Sequence, residues 1–371
     1  MLLTEKLSYL GVVLPNLTLL PPWWTSRNQP RRFAAGSGLE AHWHESWPED
    51  PRLETAWTDL VRTRPTGTAF QTPAWQSALA RPYVRAGRFR LLTIHEHLDL
   101  VGALPLQLNP GGRLETLGSM ISDYLEPPID PHLTKEVLGA MCYALLRLPG
   151  VDVREVTIHN LRRDAIDIDA LRAAAELRNF DVGIEQTASA TRVPLAGTWD
   201  AYLSRLGGHD RKEIRRKLRK AVEQAGAELV TAQSESDVPP ALERVFNYMR
   251  QAGGSKGVKA QWTYRPMFKR IASPLVRAGQ LQVHTLRLEG RDAAGLIAFP
   301  GHDGPLVWAA GYDNATSKWS PGIVLFAMTI QRAIEQGATC FDLLRGQQRY
   351  KSELGAADAP VYRVTLKRKH Q

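Results

Sequence analysis

The chain has 371 residues, 43% of them hydrophobic and 23% charged, a composition that excludes a fibrous or wholly disordered protein. That length is enough for about two domains, each able to bury its own core. The formal net charge is +9. The two cysteines, Cys142 and Cys340, lie far apart with no CxxC spacing, which argues against a disulfide framework and fits a reducing cytoplasm.

Near the N-terminus, Lys6 precedes an apolar run from Leu7 to Leu20 that resembles a leader, but Pro15 and Asn16 interrupt it. It is also shorter than the ~20 apolar residues of a membrane span, so no stable membrane insertion is expected. Residues 1–50 read as a poorly ordered or peripheral extension, which leaves a position at the inner face of the membrane open. His42-x-His44-Glu45 has the residue types of a metal site but no cysteine partner or helical spacing, and no metal is expected.

Alternation and turn residues then set out a first pass through one layout. Strands are predicted over 89–95 and 100–108, joined by His97-Leu98-Asp99, with a short apolar piece at 114–117. A helix follows from Thr134 through Val137, Met141 and Leu145 to Gly150. After it come a strand over 155–159, a helix around 168–178 and a strand over 180–184. A boundary near Ala190–Gly197 divides the chain into domains of residues 51–190 and 191–371.

Charge concentrates just beyond that boundary. Between Arg205 and Lys220 stand eight basic and two acidic residues, a local excess of +6. The spacing predicts a helix with Asp210 as N-cap, Glu213 closing a capping box, Ile214, Leu218 and Val222 as an apolar stripe, and Gly226 as C-cap. Its basic face, with Arg211, Arg215 and Arg216, is either simply solvated or meets an anionic partner such as a CoA phosphate, a phosphorylated carrier or tRNA.

The second pass is clearer. A helix over 238–250 leads to the Gly-rich loop 253–257 and a helix over 264–278. Strands are predicted over 281–288, 293–299 and 305–312, then a helix, a strand over 339–344 and a last strand over 361–367. Three antiparallel strands, a helix and another strand, found twice, predict an α/β fold of the α+β type, with two tandem mixed, mostly antiparallel sheets flanked by helices. Cys340 reads as part of a buried strand, with a nucleophilic role as the alternative.

Ser320-Pro321-Gly322 is the most informative start of a helix. Ser320 suits an N-cap, Pro321 suits the first helical position, and Gly337 suits the far end. The amides of Gly322, Ile323 and Val324 would then be free for a phosphate group, with Lys318 alongside.

These motifs resemble the CelD-like (BioF-like) acetyltransferase domain of the GNAT superfamily and its Fem-type tandem relatives. The resemblance rests on Trp319-Ser320-Pro321-Gly322, on Gly337, Asp342, Gly346 and Tyr350-Lys351 at family spacing, and on the basic stretch His209–Arg216. In the first half it rests on Phe70-Gln71-x-x-x-Trp75, Val101-Gly102-x-x-Pro105-Leu106 and Asp123-Tyr124. It covers roughly residues 55–371, and the chain lacks the usual Gln/Arg-x-x-Gly-x-Gly/Ala phosphate loop.

The resemblance implies an N-acyltransferase that takes acetyl-CoA or another acyl-CoA as co-substrate and acts on an amine acceptor. That acceptor would be a small molecule or a glycan of cell-envelope or polysaccharide synthesis. It implies Lys351 as the group that stabilises charge during transfer, with Tyr350 as wall or acid and Asp342 as base or partner of a cation. A surface lysine, a core tyrosine and a structural ion pair are the respective alternatives. Arg345, Arg349 and Lys318 would flank phosphate, and Trp262, Tyr264 and Trp308 would line an acceptor groove or belong to the core. An aminoacyl-tRNA donor and a non-catalytic scaffold are the rival readings.

Overall fold

A computed structural model describes residues 30–36 and 38–369. The expectations for residues 1–29, the leader-like run among them, fall outside the described residues.

Thirteen strands form one sheet in the order β1-β2-β3-β4-β5-β6-β13-β7-β12-β11-β10-β9-β8. The first half supplies β1 (Arg31–Gly36), β2 (Leu39–His44), β3 (Phe89–Glu96), β4 (Asp99–Asn109), β5 (Arg113–Thr116), β6 (Glu155–Leu161) and β7 (Phe180–Pro194). The second supplies β8 (Glu228–Ala232), β9 (Gln282–Leu288), β10 (Arg291–Pro300), β11 (Pro305–Tyr312), β12 (Cys340–Arg345) and β13 (Ala357–Arg368). Neighbours are antiparallel except β5/β6 and β11/β12, which are parallel. A parallel pair needs a crossover, and a helix supplies each: α3 (Thr134–Leu145) and α10 (Pro321–Glu335).

The sheet reads alike from its middle outwards. Each half has an antiparallel run, a parallel pair, and then a strand donated by the other half. β13 inserts between β6 and β7, and β7 lies between β13 and β12. β7 is far longer than the predicted 180–184 and runs into the expected boundary region. Residues 185–189 are mostly exposed, so no buried face announces the strand; the ladder to β13, from Phe180↔Arg368 to Arg192↔Ala357, extends it. The reading of residues 1–50 as an extension is corrected for 31–44. These form β1 and β2, whose register onto β3 (Leu39↔Glu96 to His44↔Leu91) makes them part of the sheet.

Alternate strand residues face opposite layers. On one face α1 (Pro51–Arg62) and α2 (Pro73–Arg85) of the first half meet α7 (Val238–Gln251) and α9 (Arg265–Arg277) of the second over a common core. At its centre Trp75 packs edge-on against Phe299, centroids 5.4 Å apart, and Phe70 against Phe299 at 5.3 Å. On the other face α3 and α4 (Ile168–Glu176) cover the first half. The second half is covered there by α5 (Trp199–Arg205), α6 (Gly208–Ala225) and α10.

The Gly-rich segment expected as a loop is helical, as α8 (Gly254–Lys259), followed by a wide π turn over Ala260–Tyr264 into α9. A Cβ on Gly257 would lie 3.2 Å from the Arg250 carbonyl, so glycine lets this turn lie directly on the end of α7. Gly226 caps α6 in the left-handed conformation (φ 56°), as the sequence predicts. The predicted capping box is corrected: α6 starts at Gly208 with Gly207 as N-cap, and Glu213 instead binds Arg216 and Lys217. No helix among the described residues is long and apolar enough to cross a membrane.

Because the halves exchange strands and share a core, neither is expected to fold alone. Deleting residues 357–371, which removes β13, should abolish the single cooperative transition of the whole chain; circular dichroism during thermal melting reads this directly. A variant keeping one sharp transition near the parent midpoint would contradict the strand exchange.

Candidate active site

The site begins with two parallel strands that part. β11 and β12 pair only at Leu306↔Asp342. Beyond that point each is deformed. Trp308 is an extra residue in β11, because Ala298 pairs with Val307 and Ile297 with Ala309. In β12 the register against β7 shifts between Asp342 and Arg345, and Leu344 is left-handed at φ 56°. That conformation costs a leucine roughly 1–2 kcal/mol, so its surroundings must hold it.

Two side chains do so. Asp342 Oδ1 accepts the Leu344 N–H at 2.8 Å. Lys351 Nζ, on the short helix α11 (Arg349–Glu353), donates to the carbonyls of Leu343, Leu344 and Arg345 at 2.8, 3.0 and 3.2 Å. Lys351 is only 3% exposed. The charge-stabilising role expected for it is therefore corrected: its ammonium serves the bent backbone of β12 and does not line the cleft described below.

Asp342 is likewise built in. Oδ2 accepts from Tyr124 Oη at 2.8 Å and from Arg192 Nε at 3.2 Å, and Arg192 continues to Asp164 at 2.7 Å. Burial pushes the Asp342 carboxyl above its ordinary value, opposed by the Arg192 charge. Burial also raises the Tyr124 hydroxyl. Of the two readings open for Asp342, the structural ion pair is the one seen. Tyr350 stacks on Phe326 with centroids 5.0 Å apart, and burial raises its hydroxyl to about 12, so it packs in the core. The Cys340 thiol is raised to about 12 by burial, which disfavours the thiolate a nucleophile needs.

On one side of the parted strands lies the start of α10. Ser320 stands at the expected N-cap position, with Pro321 following it, but it is left-handed (φ 53°) and its side chain makes no capping hydrogen bond. Its carbonyl accepts from Val324 N–H at 3.1 Å, so Val324, with a fully buried side chain, offers no free amide. Among the described residues none accepts from the amides of Gly322 and Ile323. A Cβ on Gly322 would touch the Tyr312 ring at 3.6 Å, which places the turn at the end of β11.

Cations gather at this turn. Lys318 Nζ and Lys220 Nζ lie 4.8 and 5.0 Å from the centroid of Trp319, and Lys220 donates to the Lys318 carbonyl at 3.2 Å. Lys318 also pairs with Glu289 at 3.2 Å. Lys220 thus joins the basic helix α6 to the α10 turn. Along α6, Arg215 pairs with Asp200, Arg216 with Glu213, and Arg211 reaches the Ser204 carbonyl.

On the opposite face, a cleft of about 290 Å³ opens over the gap. Ala309, Ala310 and Gly346 form its floor, with Trp308, Tyr264 and Met249 on one wall and Met120, Ile121 and Asp123 on the other. Tyr264 and Trp308 touch at 4.5 Å between centroids, whereas Trp262 is 76% exposed. The wall from the first half is clamped to β12 by Arg345. Its Nε reaches Asp123 Oδ1 at 2.9 Å, its other nitrogens reach Asn160 Oδ1 at 2.8 Å and the Ser122 carbonyl at 2.8 Å. Arg345 is thus tied to protein groups and is not the anion ligand expected. Arg349 is largely exposed beside Glu353, away from the gap lining. Arg192 and Asp123 take larger parts than sequence reasoning gave them; only the Asp123-Tyr124 pair hinted at it.

The histidines of β2 are side-chain partners of the sheet: His42 stacks on His95 at 4.3 Å and His44 bonds Thr93. Among the described residues no group of three His, Cys, Asp or Glu side chains could hold a metal ion.

Parted parallel strands with a helix start at one face and a cleft at the other define an acyltransferase-type fold. Residues 208–352 match the acetyltransferase (GNAT) domain family. The fold is similar to that of FemX, at 12% identity over 84% of this chain and 95% of that one, TM-score 0.60. It is also similar to the C-terminal domain of a protein described as a lysylphosphatidylglycerol synthetase from Agrobacterium fabrum, at 14% identity over 84% and 90%, TM-score 0.55. No curated protein matches the sequence. Residues 208–352 thus form a GNAT-type acetyltransferase domain, within a chain whose overall fold is that of these solved structures.

Replacing Lys351 by Met should remove three charge-assisted hydrogen bonds and lower stability by about 3 kcal/mol or more, with activity lost alongside. Urea unfolding checks it; an unchanged midpoint would separate Lys351 from the β12 bend.

Proposed function

We propose that the protein transfers an acyl group from an acyl-CoA, acetyl-CoA being the simplest, to an amine acceptor. The observation that carries this reading is the pair of amides at Gly322 and Ile323, unpartnered among the described residues, beside Lys318 and Lys220 and at the end of the parted β11. A diphosphate fits such a helix start, since the N–H groups and the helix dipole both favour anions. The thioester arm would then run along β11 into the gap, where the edge facing β12 has no strand pairing past Leu306.

The acceptor would enter through the opposite cleft. An acceptor that arrives as an ammonium first gives one proton to solvent; the neutral nitrogen then attacks the thioester carbonyl, the C–N bond forms, the C–S bond breaks, CoA leaves as thiolate, and the second amine proton passes to solvent or to that thiolate. N–H groups of β11 facing the gap are suited to the oxyanion, an interaction that can contribute about 3 kcal/mol to lowering the barrier. In this scheme Lys351, Asp342 and Arg345 are positioning residues. A small molecule or a glycan precursor carrying an amine is the acceptor class suggested by the family resemblance.

A second reading has one observation in its favour. The cationic side chains of α6 run up to the same turn through Lys220, a layout that also suits the phosphates of an aminoacyl-tRNA.

Calorimetry with acetyl-CoA, longer acyl-CoAs and free CoA separates these. Binding of CoA should weaken at least about tenfold in a K220E/K318E double variant. Silence toward every CoA compound would remove the CoA reading. Binding of bulk tRNA that falls steeply with salt and is weakened by R215E/R216E would then support the tRNA donor, and neither response would leave a non-catalytic scaffold.

A further inference from the structure

The cleft over the gap holds two charged groups, and they are not equivalent. Arg345 has its nitrogens engaged by Asp123, Asn160 and the carbonyls of Ser119 and Ser122. Asp123 uses one oxygen only: Oδ1 accepts both the Arg345 N–H at 3.2 Å and Nε at 2.9 Å. Oδ2 has no hydrogen-bond partner among the described residues, although the side chain is 12% exposed and lines the cleft. The Tyr264 hydroxyl is raised by burial and, next, by the charge of Asp123, which places that carboxylate within electrostatic reach of the aromatic wall.

We propose that Asp123 Oδ2, with the rings of Tyr264 and Trp308, forms the subsite that recognises the acceptor, and that this acceptor is a primary ammonium on a small, apolar or aromatic body without a carboxylate. A carboxylate oxygen lacking a donor in a half-enclosed cleft is best satisfied by a cationic N–H. Aromatic faces add to the attraction for a cation and to the burial of an apolar body. An anionic acceptor finds no uncommitted cation in the cleft lining, because Arg345 is paired with Asp123 and holds four of its five N–H groups on protein acceptors. The floor at Ala309 and Ala310 sets the nitrogen so held beside the gap.

This inference rests on the acyltransferase reading for its meaning, but its test does not. Ligand-observed NMR or calorimetry would compare three near-isosteres on the full chain: 2-phenylethylammonium, 2-phenylethanol and 3-phenylpropionate. The ammonium should bind at least about tenfold more tightly than the alcohol, and the carboxylate should not compete. In D123N, which keeps an acceptor for Arg345, the preference for the ammonium should vanish while CoA binding stays at the wild-type level. Equal binding of the three probes, absence of ammonium binding, or an undiminished preference in D123N would overturn the assignment. The wild-type comparison stands even if D123N does not fold. Loss of the CoA response with the ammonium preference intact would remove the donor reading and leave the subsite.

Discussion

The bend in β12 is the constraint on which the site depends. Parallel strands normally stay hydrogen-bonded along their length, and a gap between them exposes backbone groups that must be satisfied. Here the left-handed Leu344 turns the strand away from β11. Its amide is held by Asp342 and its carbonyl by Lys351 and the Thr191 hydroxyl. Burying an ammonium is unfavourable unless its donors are met, and three carbonyls brought together by the bend meet them. Lysine and bend therefore require each other. Asp342 connects the bend to the first half through Tyr124 and Arg192, so the opening of the gap is tied to how the halves sit together.

The same device occurs twice, with different outcomes. β6 also carries a left-handed residue near its end, Asn160 (φ 58°), beside the parallel pair β5/β6. Asparagine adopts that conformation readily, and leucine does not. The first half then closes its own gap: Leu125 N–H bonds the Asn160 carbonyl, and Asn160 Nδ2 bonds the carbonyls of Ser119 and Ser122. The segment that closes it continues outward as the wall of the second half's cleft, fixed there by Arg345. One half has given up a gap of its own to become a wall for the other. The exchange of β7 and β13 and the core around Trp75, Phe299 and Phe268 make that relation rigid.

Much of this was legible in the sequence where local chemistry decides. The alternation of 281–312 gave the meander, Pro321 and Gly337 bounded α10, and Gly226 ended α6, because each depends on backbone preferences within a few residues. β7 beyond Ile184 was not legible, since Glu185–Ser189 is held by a ladder to a strand some 175 residues later in the chain. The sense of Asp342 was half legible: a carboxylate in an apolar strand needs a partner, but Arg192 and Tyr124 are distant in sequence. Lys351 was singled out for the right neighbourhood and the wrong contact. Its burial follows from carbonyls that a bend in another element exposes, and no periodicity encodes that.

The two faces of the sheet also divide the chemistry by charge. The α10 side offers cations and open amides with few acids, apart from Glu289 beside Lys318. The cleft side offers a carboxylate and aromatic rings with its one arginine already engaged. An anionic carrier and a cationic acceptor would each be drawn to a different face, and each would be disfavoured at the other's. The excess of +6 over Arg205–Lys220 would then bear mainly on the carrier, since a charge concentrated there acts over about a Debye length, close to 10 Å at moderate salt. Separation of the two attractions by the thickness of the sheet would let both substrates be held together in the proposed reaction, with the gap between β11 and β12 as the place where their reacting atoms would meet.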